Sequence, residues 1–232
     1  MDMMTSRKLL AALCGILLSL ASALALLAFL LDGMGGSAPL MHSLMQRHAP
    51  PEATGLPQEH YPAMVEMITD YLSGREQDFQ FSFTDGEGVQ RQCFHSHEQQ
   101  HMADVKTLFD LCRGVLLLVV LALLALGGGA YALRDQRRRI AQGFLAGVLG
   151  VLLVVAVLVV WGVADFEGLF VLFHRLSFSN DLWQLDPQTD LLIRLMPLNF
   201  FIHYAALLGG TWLGGLALLA LAARHLSKRW KR

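Results

Sequence analysis

The sequence is short of charge, cysteine and proline: charged residues make up 16% of its 232 positions, with three cysteines and seven prolines. Three cysteines without a CxxC spacing give neither a disulfide framework nor a thiolate zinc motif. The glycine fingerprint of a nucleotide-binding loop is missing, and no internal repeat is visible. Net charge is only -1, so nothing marks the chain for nucleic acid. No serine or cysteine stands in a setting that would make it a nucleophile.

What the sequence has in quantity is uninterrupted apolar length, with 54% hydrophobic residues. Four runs, 9–31, 114–133, 140–164 and 200–223, carry no fixed charge. Each reaches the roughly 20 residues that a helix needs to cross a hydrocarbon core of about 30 Å. Backbone polar groups inside a bilayer must satisfy one another, which makes each run a helix. The expected class is therefore an all-α membrane protein, a single four-helix membrane domain with a small subdomain between the first and second spans. The first run is longer than the apolar core of a cleaved signal peptide, roughly 7 to 15 residues, and reads as a retained anchor.

The near-zero net charge conceals a partition. With the N-terminus in the cytoplasm, the inner segments hold eleven basic residues, among them Arg7, Lys8, Arg137, Arg138, Arg139 and Lys228, against Asp2 and Asp135. That leaves +9 inside and -10 outside. Basic residues beside helix ends set orientation, so both termini are expected in the cytoplasm of a bacterial plasma membrane.

The polar chemistry then falls in two outer loops. In the first, 32–110, residues 33–62 are rich in Gly, Pro, Met and His without a period and read as irregular. Residues 62–73 have helical spacing closed by Gly74. Phe79, Phe81 and Phe83 alternate with polar residues before Asp85-Gly86, a hairpin signal, and Val89 to Phe94 returns. Residues 95–112 read as a helix running into the second span. The second outer loop, 165–199, is aromatic and amphipathic, as at a membrane interface. Asp186-Pro187 reads there as the cap and first position of a short helix ended by Pro197. Gly143 and Gly147, with Gly210 and Gly214, suit close approach of the third and fourth spans.

Nine histidines are many for this length, and six fall in the first outer loop. His42, His48 and His60 read as solvated. His95, His97 and His101 crowd before the second span, and His174 stands alone in the second loop. His97-Glu98-Gln99-Gln100-His101 matches HExxH, in which two histidines on one helix face bind zinc and the glutamate is a general base. This gives one alternative, a zinc-dependent membrane hydrolase or protease. A second alternative is a metal-binding membrane protein without enzymatic activity.

A different pattern begins at the second of those histidines. His101-Met102-Ala103-Asp104-Val105-Lys106 is followed far along the chain by Phe173-His174-Arg175-Leu176-Ser177-Phe178-Ser179-Asn180-Asp181-Leu182-Trp183. Leu185-Asp186-Pro187 and Thr189-Asp190 come next. These ordered strings, on a four-span plan, resemble the bacterial lipoprotein intramolecular transacylase (Lit) family. The resemblance implies an acyltransferase that moves the sn-2 acyl chain of a lipoprotein's diacylglycerol onto the α-amino group of the same lipoprotein's N-terminal cysteine. It implies His101 and His174 as catalytic residues, no cofactor and no metal, with diacylated lipoproteins and membrane lipid as partners. The string leaves His97 and Glu98 outside it.

The chemistry accords with that layout. An attacking amine must lose a proton to a base with a pKa near the working pH, which suits histidine, and the carbonyl oxygen needs a donor as its charge builds. Donor and acceptor belong to one molecule, so holding the headgroup supplies rate through proximity. Asp104, three residues after His101, is expected to orient it. Arg175, Asn180 and Lys106 are candidates to polarise the carbonyl. Asp181 and Asp186 read equally as structural partners, Trp183 as an interface anchor beside the site, and His203 as bordering it.

Overall fold

The computed structural model describes residues 3–229, without the side chains of 226, 227 and 229. Asp2, Lys231 and Arg232, which enter the charge count above, lie outside the described residues, as does the Arg229 side chain. In chain order the helices are α1 (Met3–Gly35), α2 (Ala38–His48), α3 (Pro51–Thr54) and α4 (Tyr61–Leu72), then the strands β1 (Ser82–Thr84) and β2 (Gln90–Gln92). There follow α5 (Ser96–Ala132), α6 (Arg137–Ala164), α7 (Phe166–Ser177), α8 (Leu191–Leu195) and α9 (Leu198–Arg229). The helices α1, α5, α6 and α9 are long and apolar enough to cross a membrane.

Two compact units make up the chain. The first comprises Met1–Leu30, Arg113–Ala164 and Gly209–Arg232. Leucines and valines such as Leu118, Leu124, Val157, Val160 and Val163 are largely exposed on it. Such a surface suits lipid, which is as apolar as these side chains. Polar groups instead tie helix to helix, the buried Trp212 indole donating from Nε1 to the Ala23 carbonyl at 2.8 Å. Arg7 pairs with Asp135 at 3.0 Å, joining the start of α1 to the tight basic turn at 134–136.

The small residues of α6 serve α1, not α9. A Cβ on Gly143 would strike the Ala12 carbonyl, and one on Gly147 would strike Ser19. Nothing approaches the corresponding positions on Gly210 and Gly214. The expected pairing of the third and fourth spans through these glycines is therefore corrected. A smooth helix face marks a close approach without naming the partner.

The second unit comprises Leu31–Cys112 and Asp165–Leu208. Its core is built on α4, where Met64, Val65, Ile68 and Leu72 are buried one turn apart, as the periodicity requires. Gly74 follows with φ 78°, which glycine adopts without strain. The hairpin pairs Ser82 with Gln92 and Thr84 with Gln90. Asp85 organises its loop by accepting from the Glu87 and Val89 amides and from Arg91.

Residues 33–62 are not irregular. The helix α2 buries Met41, Leu44 and Met45 at i, i+3 and i+4, and α3 begins on Pro51 with Gly55 in the left-handed conformation at its end. Accordingly His42, His48 and His60 are half-buried, not solvated; the His48 ring lies 4.4 Å from that of His203.

Residues 165–199 also hold more structure than expected. Asp165 caps α7 by accepting from the Gly168 amide at 2.8 Å. The short helix starts at Leu191 with Asp190 as its cap residue, whereas Asp186-Pro187 lies in the preceding turn. The reason is that Asp190 folds back to accept from the Asp186 amide at 2.8 Å. The Leu192 amide of α8 is satisfied instead by Glu98 Oε1 at 2.8 Å.

Candidate active site

Glu98 decides how the first histidine cluster is used. It is fully buried, and besides Leu192 it accepts from the His95 amide through Oε2 at 2.7 Å. One carboxylate thus caps two helices: it reaches back to the residue before α5, as the glutamate of a capping box does, and across to the start of α8. Each oxygen already has its donor. His97 Nε2 turns to Asp190 at 3.0 Å. Burial raises the Asp190 carboxyl pKa, but the hydrogen bonds from His97, the Asp186 amide and Thr189 outweigh this and leave it below the usual range.

An HExxH zinc site is therefore not assembled. His97 is paired with Asp190, Glu98 is spent on backbone amides, and His101 faces elsewhere. Among the described residues, the one His/Cys/Asp/Glu group with ligand atoms close enough to share an ion is His95, Glu98 and Asp190. Its two carboxylates are those that accept the hydrogen bonds from the His95, Leu192 and Asp186 amides. No disulfide joins the cysteines among the described residues. Burial and the nearby Glu98 charge push the Cys93 thiol up to about 11.

His101 and His174 are brought together. Their ring centroids are 6.1 Å apart although 72 residues separate them along the chain. Both are buried, at 7% and 8% exposure. His101 projects from the second turn of α5 beside the buried Met102, and His174 from the last turn of α7. His174 Nδ1 lies 2.7 Å from the Phe170 carbonyl. A carbonyl only accepts, so Nδ1 carries the proton, and the neutral ring keeps its lone pair on Nε2. Burial lowers the His174 pKa more than the Phe170 carbonyl raises it, so the ring favours the neutral form. The His101 Nδ1 atom is buried and has no hydrogen-bond partner among the described residues.

Aromatic rings enclose the pair. Phe170 and Trp183 lie 4.1 and 5.1 Å from His174. Phe178 meets His101 edge-on at 5.1 Å and His174 at 5.5 Å. Asn180 Nδ2 donates to Asp104 Oδ2 at 2.9 Å, tying the segment after α7 to α5 one turn beyond His101. Two buried imidazoles in an apolar enclosure, one with its tautomer set by a backbone carbonyl, can exchange a proton with a reacting group while keeping water away.

Residues 16–201 match the family of the lipoprotein intramolecular transacylase Lit. The chain belongs to that family. Its fold is likewise that of the membrane-integral lipoprotein intramolecular transacylase Lit from Bacillus cereus, with a TM-score of 0.74 at 23% identity over 95% of this chain and 97% of that one. A Bacillus cereus Lit variant with one histidine replaced by alanine gives 0.76 at 20% identity, covering 99% of each chain. No curated protein sequence matches the chain.

The remaining residues singled out in this transacylase lie as follows. Trp183 packs on His174. Lys106 is engaged away from the pair, donating to the Glu76 carbonyl at 2.7 Å and lying over the Tyr71 ring. Asp104 binds Asn180, and no hydrogen bond joins it to His101 among the described residues. Asp181 and Asp186 act in turns, accepting from Gln184 and from the Gln188 amide. Arg175 is exposed beside His174. The His203 ring lies tilted against that of His48 and bonds the Asn199 carbonyl. In the sequence Phe170 and Phe178 read only as interface aromatics; Phe170 stands one helical turn before His174, and Phe178 follows the end of α7 in an extended conformation.

Proposed function

We propose that this acyltransferase moves the sn-2 acyl chain of a diacylated lipoprotein onto the α-amino group of that lipoprotein's N-terminal cysteine. His101 and His174 are the reacting pair. One observation carries the reading: two buried imidazoles 6.1 Å apart, on different helices, within one aromatic enclosure. The amine nitrogen attacks the ester carbonyl, forming the C–N bond. His174 Nε2 takes the ammonium proton and returns it to the sn-2 oxygen as the C–O bond breaks, while His101 donates to the carbonyl oxygen. Products are an amide and a lyso-glyceryl hydroxyl, with atoms and protons balanced and no outside reactant.

The charge partition supports the orientation: both termini in the cytoplasm of a bacterial plasma membrane, the histidine pair at the outer leaflet. Mass spectrometry of an N-terminal lipopeptide from cells with and without the protein tests the function. The N-acyl lyso-form appears only with the protein; a diacylglyceryl form unchanged by its presence refutes the reading.

A further inference from the structure

With both rings less than a tenth exposed, substrate reaches His101 and His174 only if something moves, and the closed state is the one that keeps water out. The covering segment is identifiable. Immediately after α7, Phe178 spans both imidazoles and Trp183 covers His174. Between them, Asn180 Oδ1 accepts from the Leu182 amide at 3.1 Å, closing the turn, while its Nδ2 reaches Asp104 Oδ2 at 2.9 Å. Asn180 thus holds the strap's own turn and fastens the strap to the helix that bears His101. The Asn180–Asp104 bond is solvent-accessible, unlike the rings beneath it. An ordinary hydrogen bond contributes only about 0.5–1.5 kcal/mol net, so breaking this one costs little.

We propose that residues 178–183 are a water-excluding strap, latched by Asn180 to Asp104, which commits the acyl group to the amine instead of to water. This rests on the reading of His101 and His174 as the reacting pair. Transfer and hydrolysis share the ester carbonyl and the same base. They differ only in whether the attacking atom is the α-amine nitrogen or a water oxygen. Hydrolysis would break the same sn-2 C–O bond and release a free fatty acid and a lyso-lipoprotein with a free amine. The latch therefore sets product partition, and Asn180 and Asp104 are positioning residues acting through Phe178 and Trp183.

The test measures both products by mass spectrometry on purified full-length protein with a diacylated lipopeptide. Asn180→Ala removes the donor, and Asn180→Asp sets two carboxylates against each other. Each is expected to raise the ratio of hydrolysis to transfer by roughly two- to tenfold, the equilibrium effect of losing one ordinary hydrogen bond. The exchange Asp104→Asn with Asn180→Asp restores a donor from the opposite side and should bring the ratio back toward the parent value. Variants that lower both products together, or leave the ratio unchanged, overturn the proposal, as does an exchanged pair that folds without restoring it. The test separates from that of the underlying reading, because loss of His174 stops sn-2 cleavage itself, whereas loss of the latch redirects it.

Discussion

Replacing Glu98 separates a structural carboxylate from a catalytic one. In Glu98→Gln one side-chain oxygen remains to accept from either the His95 or the Leu192 amide, but the other position becomes an NH2 that faces an N–H. One buried backbone donor at the origin of α5 or α8 is then unsatisfied. Such a donor costs about 1–3 kcal/mol. Glu98→Ala orphans both donors and leaves a space where a fully buried side chain stood, so the cost rises to about 2–6 kcal/mol for the two amides alone. Thermal unfolding in detergent micelles should rank parent, Glu98→Gln and Glu98→Ala in that order. Lipopeptide turnover per folded Glu98→Gln molecule should stay near that of the parent and be indifferent to a chelator. A Glu98→Gln protein as stable as the parent but inactive, with parent activity lost on chelation, would refute this reasoning and restore the zinc hydrolase.

Two further outcomes follow from the same geometry. With its histidines labelled with 15N, the protein in micelles should show His174 as the Nδ1–H tautomer, titrating below the ordinary value of 6.5 because burial disfavours the charged ring; an Nε2–H tautomer or a raised midpoint contradicts the assigned base. An impermeant thiol reagent on whole cells should label Ser37→Cys and Ser179→Cys but not Gln136→Cys, with little background from the half-buried, high-pKa Cys93; the reverse pattern inverts the topology.

Long-period features were legible because one property repeated many times. Apolar runs mark the long helices, and the burial of Met64, Val65, Ile68 and Leu72 follows their spacing. The extent of α5 was legible too, since residues 95–112 read as a helix running into the second span. Short elements depend on single tertiary bonds. The start of α8 is set by an amide bound to a carboxylate 94 positions away, and nearby Asp186-Pro187 is a stronger local cap signal than Asp190. Glu98 was obscured by its own surroundings: histidines on either side give a zinc motif, while the capping-box reading lacks the usual Ser or Thr at position 95. The Met41, Leu44 and Met45 pattern of α2 lay among prolines and glycines that argue locally for a loop. The histidine pair was suggested by likeness of strings. Its aromatic enclosure required knowing that α7 is a helix, which places Phe170 one turn before His174, and that the chain turns extended at Phe178, which brings that ring back over the pair.

The central claim is that His101 and His174 act as one unit, and lipopeptide mass spectrometry on three variants at matched expression tests it most directly. His101→Ala and His174→Ala should each abolish nearly all conversion of the diacylated substrate to the N-acyl lyso-form. The double variant should be scarcely worse than either, because losses within a catalytic unit are far from additive. All three should insert and fold, since neither histidine lies in an apolar run that spans the membrane. Either single variant retaining full transacylation, or a double variant whose loss is the product of two partial ones, would contradict the account.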